Sequence, residues 1–302
     1  MYQTIKNCIA NPSRILLGLE RRGWFRRLPD ALHLKIIFRI TMGYPLNLRN
    51  PRTFSEKLNW LKLYGHPEQY TDLVDKYGVR QYIADTIGEE YSIPLLGVWD
   101  KFEEIDFSKL PDQFVLKCTH DSGSCVICTD KNTFDFPSTE RKLKKCLKKN
   151  MNYRLIERQY NNVKPRIICE QYMVDESGTE LKDYKIYCFH GKPKIIQVIF
   201  DRFTEAKCNL YDTEWNYIPV SKTYPTDPDA VVNKPNKLEE MLHLAKTLSG
   251  DFPFVRVDLY SIGDRIYFGE LTFTPASGFG RFVPEKYDLE VGNWLELPAE
   301  KS

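Results

Sequence analysis

The feature of this 302-residue sequence that most constrains its fold is a pair of strand-like runs near the C-terminal end, at residues 254–260 and 265–273. Both runs are rich in β-branched, aromatic and other apolar residues, and a short segment with a Gly-Asp pair separates them. Two such runs joined by so few residues are typical of an antiparallel hairpin. The sequence therefore predicts a β-hairpin at this end of the chain.

Polar side chains alternate along both strands of the predicted hairpin. Arg256 and Asp258 share one face of the first strand, and Glu270 and Thr272 share one face of the second. Two carboxylates that converge beside a charged neighbour suit Mg²⁺ shared with phosphate oxygens. The alternative is a solvated outer face with ordinary surface charges.

The length of the hairpin loop decides whether the two carboxylates meet. A three-residue loop at 262–264 would set Asp258 opposite Phe268 and diagonal to Glu270. A two-residue loop would put the carboxylates on opposite faces of the sheet. A functional interpretation of the hairpin therefore predicts a loop with an odd number of residues.

The rest of the chain predicts further strands and several helices. Strands at 113–118, 124–129 and 166–173, with a basic helix at 138–150, form a small α+β subdomain of about 60 residues. A hairpin signal at 190–193 joins two more strands. The predicted helices are a basic one at 12–41, one capped at Thr53, one at 71–87 and one capped at Asn236.

Two charged residues interrupt apolar strands of the small subdomain. Lys117 ends an apolar strand and leads into a Gly/Ser loop at 120–124, an arrangement that can bind phosphates. Its alternative is an edge lysine whose stem is buried and whose ammonium reaches water. Glu170 lies in the middle of an apolar strand, where a buried carboxylate needs a partner.

Charge is unevenly distributed along the sequence. The first 62 residues hold twelve basic and three acidic residues, a net charge of +9, and because the whole chain carries +2, the other 240 residues carry −7. The basic segment either lies on the anionic inner surface of a membrane or forms helices packed on the body, and its mixed apolar placement favours packed helices. Its aromatic residues form no recognisable stacking motif, which disfavours nucleic acid as a partner.

The composition and the eight cysteines limit the other classes. A chain that is 42% hydrophobic and 28% charged is globular. The sequence start has no pattern of a signal peptide, so we expect a cytoplasmic protein with reduced thiols. The cysteines at 118, 125 and 128 allow a zinc interpretation, but the β-branched pair between the last two favours a strand.

Taken in order, these motifs resemble the ATP-grasp enzymes and, more narrowly, the TupA-like ATP-grasp proteins, which are associated with teichuronopeptide and other surface polysaccharide synthesis. The resemblance covers residues 45–298. It rests on the order and spacing of Asn50-Pro-Arg-Thr-Phe-Ser-Glu-Lys57, Asp75-Lys76-Tyr-Gly-Val-Arg80, Lys117-Cys-Thr-His-Asp-Ser-Gly123 and Gly269-Glu-Leu-Thr-Phe273. It implies an α+β ATP-grasp fold, in which two α+β subdomains grip ATP, with a helical basic N-terminal extension.

The resemblance also implies roles for individual residues. The implied ATP-binding residues are Lys117, Ser122, Gly123 and Ser124 at the phosphates, Glu170, Gln171, Tyr172 and Met173 at the adenine, Asp175 or Glu176 at the ribose, and Lys185 at the γ-phosphate. Arg256 and Lys185 are the implied catalytic residues. Asp258, Glu270 and Thr272 are the implied ligands of Mg²⁺, with Mn²⁺ as an alternative. Ser277, Gly278 and Arg281 lie where such enzymes hold the acceptor.

One position departs from the family pattern. The common motif ends in Glu-x-Asn, whereas this chain has Glu270-Leu-Thr272. A threonine hydroxyl binds Mg²⁺ more weakly and at shorter reach than an amide carbonyl. The departure puts the second metal in doubt, so that either one metal dominates or substrate and water hold the second.

The implied function is an ATP-dependent carboxylate–amine ligase that acts through an acylphosphate. Its expected partners are an amine or amino acid and a carboxylated sugar of a surface polysaccharide. The alternatives are a sugar kinase-like phosphotransferase, a glycosyltransferase and a basic docking module. A glycosyltransferase typically has a metal-binding Asp-x-Asp motif, and the nearest match in this chain, at 227–229, contains a proline. The expected regions are a helical N-terminal region at 1–65, a segment at 66–111, a lid at 112–174 and a C-terminal subdomain at 175–302.

Overall fold

Three antiparallel sheets, of four, six and two strands, and the helices packed on them form the described part of the protein in the computed structural model, and the two-stranded sheet pairs Ser221–Lys222 with Phe282–Val283. The structure describes residues 18, 20, 23–149, 155–175, 178, 181–200, 205–230 and 232–298. The combination of helices with antiparallel sheets is the predicted α+β class. Within the described ranges, no helix has the length and apolar character needed to cross a membrane.

The helices and strands occur in the following order. The helices are α1 (Asp30–Met42), α2 (Phe54–Tyr64), α3 (Thr71–Val74), α4 (Val79–Thr86), α5 (Phe136–Leu147), α6 (Leu238–Ser249) and α7 (Lys286–Gly292). The strands are β1 (Leu95–Trp99), β2 (Phe114–Cys118), β3 (Val126–Cys128), β4 (Ile167–Gln171), β5 (Asp183–Phe189), β6 (Lys192–Phe200), β7 (Lys207–Tyr211), β8 (Tyr217–Ile218), β9 (Ser221–Lys222), β10 (Phe254–Ile262), β11 (Arg265–Thr272) and β12 (Phe282–Val283).

The four-stranded sheet, which we call the small sheet, has the order β1-β4-β2-β3. Helix α5 places Leu143 and Cys146 in the same buried cluster as Phe114 and Leu116 of β2. The predicted succession of two strands, a helix and a third strand is confirmed. Strand β1 comes from the preceding segment of the chain and pairs with β4 at the edge of this sheet.

The six-stranded sheet, which we call the large sheet, has the order β11-β10-β5-β6-β7-β8. Helix α6 packs on one face, and helices α2 and α7 pack on the other. The predicted hairpin between β5 and β6 is confirmed: Phe189 pairs with Lys192, and both turn residues, His190 and Gly191, have positive φ, 48° and 72°.

The hairpin of β10 and β11 has a different loop length from the one predicted, but its two carboxylates share one face as predicted. Ile262 pairs with Arg265, so the loop has two residues and the predicted odd-length loop is wrong. A register shift follows between Leu259↔Phe268 and Asp258↔Glu270, which leaves Gly269 as the extra residue of a β-bulge. The bulge reverses the alternation of side-chain direction along β11, so that Asp258 and Glu270 lie directly opposite each other.

Glycine suits this bulge because the backbone of the partner strand comes very close. A Cβ atom at position 269 would lie 3.0 Å from the carbonyl oxygen of Asp258 and 3.1 Å from the ring of Tyr260. Any larger residue would push the two strands apart at the point where the carboxylates meet.

Capping boxes were predicted at the start of two helices, and one of them is present. At α2 the box is formed: the Thr53 side chain accepts from the Glu56 N–H, and the Glu56 carboxylate accepts from the Thr53 N–H at 3.1 Å. At α6 it is not, because Lys237 occupies the cap position and no side chain caps the helix. The box predicted at Asn236 is therefore wrong, and α6 depends on its buried apolar face.

The helix predicted at 71–87 is broken in the structure into α3 and α4. Asp75 has extended backbone angles, and its carboxylate accepts from the Tyr77 N–H at 3.0 Å and pairs with Arg166 at 3.1 Å. These side-chain contacts replace helical hydrogen bonds, as aspartate commonly does at turns. The break turns Lys76 towards the small sheet, where its N–H donates to the Thr119 carbonyl at 3.1 Å.

Helix α1 packs on the body rather than standing apart from it. Leu34, Ile37 and Phe38 are buried in a cluster that includes Phe279. Before Asp30, residues 18, 20 and 23–29 of the basic helix predicted at 12–41 are described. Trp24–Arg27 form a 3₁₀ helix and Leu28 has extended backbone angles, so the prediction of one continuous helix is wrong here. In α2, Phe54 contacts the rings of the large-sheet core, and β1 lies within the expected 66–111 segment. The division of the chain into four regions stays a prediction.

The described cysteines are free thiols, as expected: 118, 125, 128, 146, 169, 188 and 208. Burial raises the pKa of the Cys118 and Cys169 thiols to about 12. The described ranges hold no group of three His, Cys, Asp or Glu side chains that could bind a metal. The zinc interpretation therefore has no support in this part of the chain.

Candidate active site

Four polar side chains form a row across the large sheet. The register places Gln197 of β6 opposite Lys185 of β5, Lys185 opposite Asp258 of β10, and Asp258 opposite Glu270 of β11. Because directly opposed residues of antiparallel strands share a face, the four side chains line one surface of the sheet. The implied catalytic lysine and the two implied metal ligands are therefore neighbours.

Arg256 contacts both carboxylates of this row and also Thr272, the residue that departs from the family pattern. Its Nε donates to Asp258 Oδ1 at 2.6 Å, and its Nη2 donates to Asp258 Oδ2 at 2.7 Å, to Glu270 Oε1 at 2.9 Å and to Thr272 Oγ1 at 3.0 Å. The Thr272 hydroxyl donates to Glu270 Oε1 at 3.0 Å. The rigid fork of a guanidinium suits such multiple contacts.

The two carboxylates differ in exposure and acidity. Asp258 is 1% exposed and forms ion pairs with Lys185 and Arg256. Burial raises the pKa of Asp258, and the charges of Arg256 and Lys185 oppose that shift. The Glu270 side chain is 43% exposed. Burial of its carboxyl end would raise the pKa of Glu270, but Arg256, Lys185 and Lys76 outweigh this effect and lower it to about 2.

The donor set at this point fits a magnesium ion shared with a ligand. Asp258 and Glu270 supply two carboxylates, and Thr272 supplies a hydroxyl next to Glu270. Mg²⁺ prefers oxygen ligands and is typically held by one or two carboxylates together with waters and phosphate oxygens. In this structure, Lys185 and Arg256 contact the same carboxylate oxygens.

On the small sheet, Lys117 and Glu170 form an ion pair of 2.6 Å. They lie on adjacent strands, β2 and β4, and Glu170 is 6% exposed. Arg80 of α4 lies 3.9 Å from the other carboxylate oxygen and donates to the Ile93 carbonyl at 3.0 Å. The predicted partner of the buried Glu170 is thus Lys117 itself, with Arg80 close by.

The other residues of the predicted adenine site are the last residue of β4 and the two residues that follow it. Gln171 pairs with Phe114 and donates its N–H to the Pro94 carbonyl at 3.0 Å. Gln171 and Tyr172 line a cavity of about 780 Å³ beside the small sheet. Met173 comes next in the chain and is half-buried.

The Gly/Ser loop between β2 and β3 divides into exposed and buried residues. Ser122 and Gly123 are exposed, and Gly123 has a φ of +89° that favours glycine. Ser124 is fully buried, and its hydroxyl accepts from the Cys118 N–H at 2.8 Å. The Ser124 side chain therefore closes the loop, while the other two residues face solvent.

Lys76 belongs to the site by position, although its sequence surroundings predict no role for it. Its Nζ donates to the carbonyl of Asp121 in the Gly/Ser loop at 2.6 Å. Burial lowers the pKa of Lys76, and the charges that act on it include Glu270 of the large sheet and Lys117 of the small sheet. Charges of both sheets therefore act on Lys76, and no local pattern in the sequence indicated its place, because the helix break at Asp75 depends on the distant Arg166.

The predicted ribose residues are only partly described. Asp175 is buried, and its carboxylate accepts from the Lys182 Nζ at 2.8 Å and from the Lys182 N–H at 3.2 Å. Glu176 lies outside the described residues. A role of Asp175 at the ribose would require its carboxylate to share these contacts.

The three predicted acceptor residues lie in different surroundings. The Ser277 hydroxyl donates to Glu157 Oε2 at 2.9 Å, and the Gly278 carbonyl accepts from Asn59 at 2.8 Å. Ser277 has a φ of 53°, so the loop after β11 has an unusual left-handed conformation. Arg281 is exposed, and its guanidinium lies next to Gly43 at the end of α1.

Comparison with solved structures finds distant likenesses. D-alanine–D-alanine ligase from Bacillus anthracis is 17% identical, with 67% of this chain and 57% of that chain covered and a TM-score of 0.38. An ATP-grasp RimK domain protein from Sphaerobacter thermophilus is 10% identical, with coverages of 77% and 70% and a TM-score of 0.41. The ATP-grasp ligase PsnB in complex with a minimal precursor, Mg and ADP is 12% identical, with coverages of 72% and 57% and a TM-score of 0.37.

This chain spans less than two thirds of the length of the D-alanine–D-alanine ligases that it matches. No curated protein sequence matches it. The model of the TupA-like ATP-grasp family matches residues 56–296, which is most of the chain and includes all three sheets. The chain therefore belongs to the TupA-like ATP-grasp family.

Proposed function

We propose that the protein is an ATP-dependent ligase that joins a carboxylate to an amine through an acylphosphate. The observation that carries the proposal is the placement of Asp258 and Glu270 opposite each other on the large sheet, with the charges of Glu270 and of Lys117 of the small sheet both acting on Lys76. Carboxylates suited to a metal and a lysine suited to phosphates are thus close enough for their charges to interact. Catalysis of this kind depends on positioning and on neutralising phosphoryl charge.

The small sheet would bind ATP. Lys117 and Lys76 would contact phosphate oxygens, with Ser122 and Gly123 closing over them. Glu170 would accept from the adenine amino group, and the backbone at 171–173 would contact the purine edge. In that state Lys117 would exchange its ion pair with Glu170 for a phosphate, while Arg80 stays near the Glu170 carboxylate.

The large sheet would bind the metal and the reacting phosphoryl group. Asp258 and Glu270 would hold Mg²⁺, with Thr272 as a weaker third ligand. The bound ion would supply charge neutralisation for the transferred phosphoryl group. Lys185 and Arg256, which now contact these carboxylates, would then direct N–H groups to the phosphoryl oxygens.

The proposed reaction has two steps. An oxygen of the substrate carboxylate attacks the γ-phosphorus of ATP, the bond to the β-phosphate oxygen breaks, and ADP leaves. The nitrogen of a neutral amine then attacks the acyl carbon, the bond to the phosphate oxygen breaks, and phosphate and one proton leave with formation of an amide. By family association the carboxylate belongs to a sugar of a surface polysaccharide, and the reaction takes place in the cytoplasm or at the inner membrane surface.

Two measurements test this proposal. Mg²⁺–ATP at about 100 times its dissociation constant should raise the free energy of unfolding by roughly 2.7 kcal/mol, and Lys117→Ala and Glu270→Gln should reduce the shift. With added hydroxylamine and the correct acid, an acylphosphate yields a hydroxamate. ADP release without hydroxamate would favour a phosphotransferase. A shift with a nucleotide sugar and none with ATP would contradict the ligase and favour a glycosyltransferase.

A further inference from the structure

We propose that the cavity beside Arg256 binds a substrate by its carboxylate, and that Lys222 is the residue that recognises this group. The proposal rests on the proposed function, because it concerns the substrate that reacts with, or after, ATP. It adds a residue and a charge requirement that the family resemblance does not supply.

The cavity lies on the active face of the large sheet and has a volume of about 440 Å³. That volume is within the range of small-molecule sites, which begins at about 300 Å³. Lys185 and Arg256 line one part of it, and Lys222 and Tyr224 line another. A molecule that fills the cavity therefore reaches both the proposed phosphoryl site and Lys222.

The residues that line this cavity have an excess of positive charge. They include Lys185, Arg256 and Lys222, and no carboxylate is among the described residues of the lining. Lys185 and Arg256 are neutralised from behind by the carboxylates of Asp258 and Glu270. Lys222 has no such counter-ion among the described residues.

Lys222 has no paired carboxylate in the part of the chain that the structure describes, and its ammonium is surrounded by aromatic rings and one carbonyl; the ring centroids of Phe54 and Tyr187 lie 5.4 and 5.8 Å from its Nζ. The residue is 3% exposed, and its Nζ donates to the Gly280 carbonyl at 3.3 Å and lies 3.7 Å from the Phe282 ring centroid. An ammonium has three N–H donors, so at least one remains for a ligand. Burial lowers the pKa of Lys222 to about 8, with Arg256 adding to this shift and Asp288 opposing it.

Asp288 is the acidic residue that acts on Lys222 electrostatically, but its oxygens are committed elsewhere. They accept from the Ser55 N–H and hydroxyl, each at 3.1 Å, and from the Tyr44 hydroxyl at 3.3 Å. A buried ammonium without a paired carboxylate is costly, and a bound carboxylate would remove that cost. The chemistry of the cavity therefore selects an anionic ligand.

A carboxylate in this cavity could come from an acidic sugar or from an amino acid, and matched ligands separate the two sources. We would measure binding by calorimetry to the native protein with Mg²⁺–AMPPNP bound, using two pairs that differ in charge and little in shape. The first pair is glucuronate and glucuronamide, and the second is L-alanine and L-alaninamide. The pair in which the acid binds more tightly than the amide shows whether the carboxylate belongs to an acidic sugar or to an amino acid.

The expected preference of the native protein for the acid is at least about tenfold, as for a hydrogen bond to a charged group. In Lys222→Met, which keeps the bulk of the side chain, the preference for the acid should disappear. Absence of binding by both acids at millimolar concentration would overturn the assignment. So would equal binding of acid and amide, or an unchanged preference in Lys222→Met.

The control is Lys57→Met, which removes a lysine that donates to the Gly292 and Leu295 carbonyls away from the cavity. This variant should keep the preference for the acid. Thermal unfolding with Mg²⁺–AMPPNP in the same samples shows whether each variant is folded and binds nucleotide. If Mg²⁺–AMPPNP does not shift the unfolding of the native protein, the proposed function is contradicted. If the nucleotide shifts unfolding but the native protein does not prefer the acid, only the role of Lys222 is contradicted.

Discussion

The large sheet and the small sheet carry opposite charge arrangements. On the large sheet, Asp258 and Glu270 meet across a β-bulge and are held by several short contacts from Arg256. On the small sheet, Lys117 and Arg80 surround the single carboxylate of Glu170. One surface thus gathers acids around a shared cation, and the other gathers cations around a shared acid.

The difference indicates how the two surfaces divide a nucleotide between them. Converging carboxylates attract a divalent cation, whereas lysines next to a flexible Gly/Ser loop attract phosphate oxygens. The internal ion pairs keep both sets of charges compensated without a ligand. We therefore expect ligand binding to exchange internal partners for external ones on both sheets.

The largest expected effect comes from removing a charge on the large sheet. Asp258→Asn and Glu270→Gln should each lower the rate of ADP release by about 10²–10³-fold, by analogy with the loss of a preorganised electrostatic group. The measurement is steady-state ADP release as a function of magnesium concentration. Asp264→Asn, in the loop of the same hairpin, is the matched control and should behave as the native protein. Full activity of both site variants would contradict the proposal that Asp258 and Glu270 bind the metal.

The next effect is expected on the small sheet and concerns binding. Lys117→Met should weaken ATP binding by about ten- to a hundredfold, because it removes a hydrogen bond to a charged group. Calorimetric titration with Mg²⁺–AMPPNP measures this change. Lys109→Met removes an exposed lysine of the same region and should leave the affinity unchanged. An equal loss in both variants would show that the effect is a general one of net charge.

A smaller effect should follow from filling the bulge. Gly269→Ala places a Cβ atom 3.0 Å from the Asp258 carbonyl oxygen and should lower the free energy of unfolding by about 1–3 kcal/mol. If the bulge aligns the carboxylates, the magnesium needed for half-maximal activity should also rise. Chemical denaturation and metal titration measure the two effects. A destabilised variant with an unchanged magnesium requirement would show that the bulge serves folding alone.

The smallest effect is expected at the position that departs from the family pattern. Thr272→Asn introduces an amide carbonyl, a better magnesium ligand than a hydroxyl. The magnesium concentration for half-maximal activity should fall by a few-fold, since one weak ligand of several is improved. Thr272→Val, which removes the hydroxyl, should raise it. No response to either change would exclude Thr272 from the metal site.

The sequence predicted much of this arrangement because local patterns specify strands and caps. Three of the four strands of the small sheet, the hairpin at His190 and the capping box at Thr53 follow from short-range preferences, whereas strand β1 was not predicted. The family motifs added Lys117, Glu170, Asp258 and Glu270, which the structure places in pairs. The roles of these residues in ATP and metal binding stay predictions.

What the sequence could not predict depends on contacts between distant segments. The break before α4 arises because Asp75 pairs with Arg166, some 90 residues away, and it places Lys76 beside the Gly/Ser loop. The compensation of Glu170 by Lys117 likewise joins two strands that a helix separates in the chain. No local pattern reports such pairings.

By itself, the sequence determined the α+β class, the family and the two strands that carry the carboxylates. Only the tertiary structure decided that Asp258 and Glu270 lie on one face, because a one-residue bulge at Gly269 reverses the alternation that the two-residue loop would impose. It also decided that Lys222 lies in the cavity beside Arg256 with no carboxylate partner among the described residues. The alternation of side chains is a local property of a strand, whereas register and charge compensation depend on which strands come together.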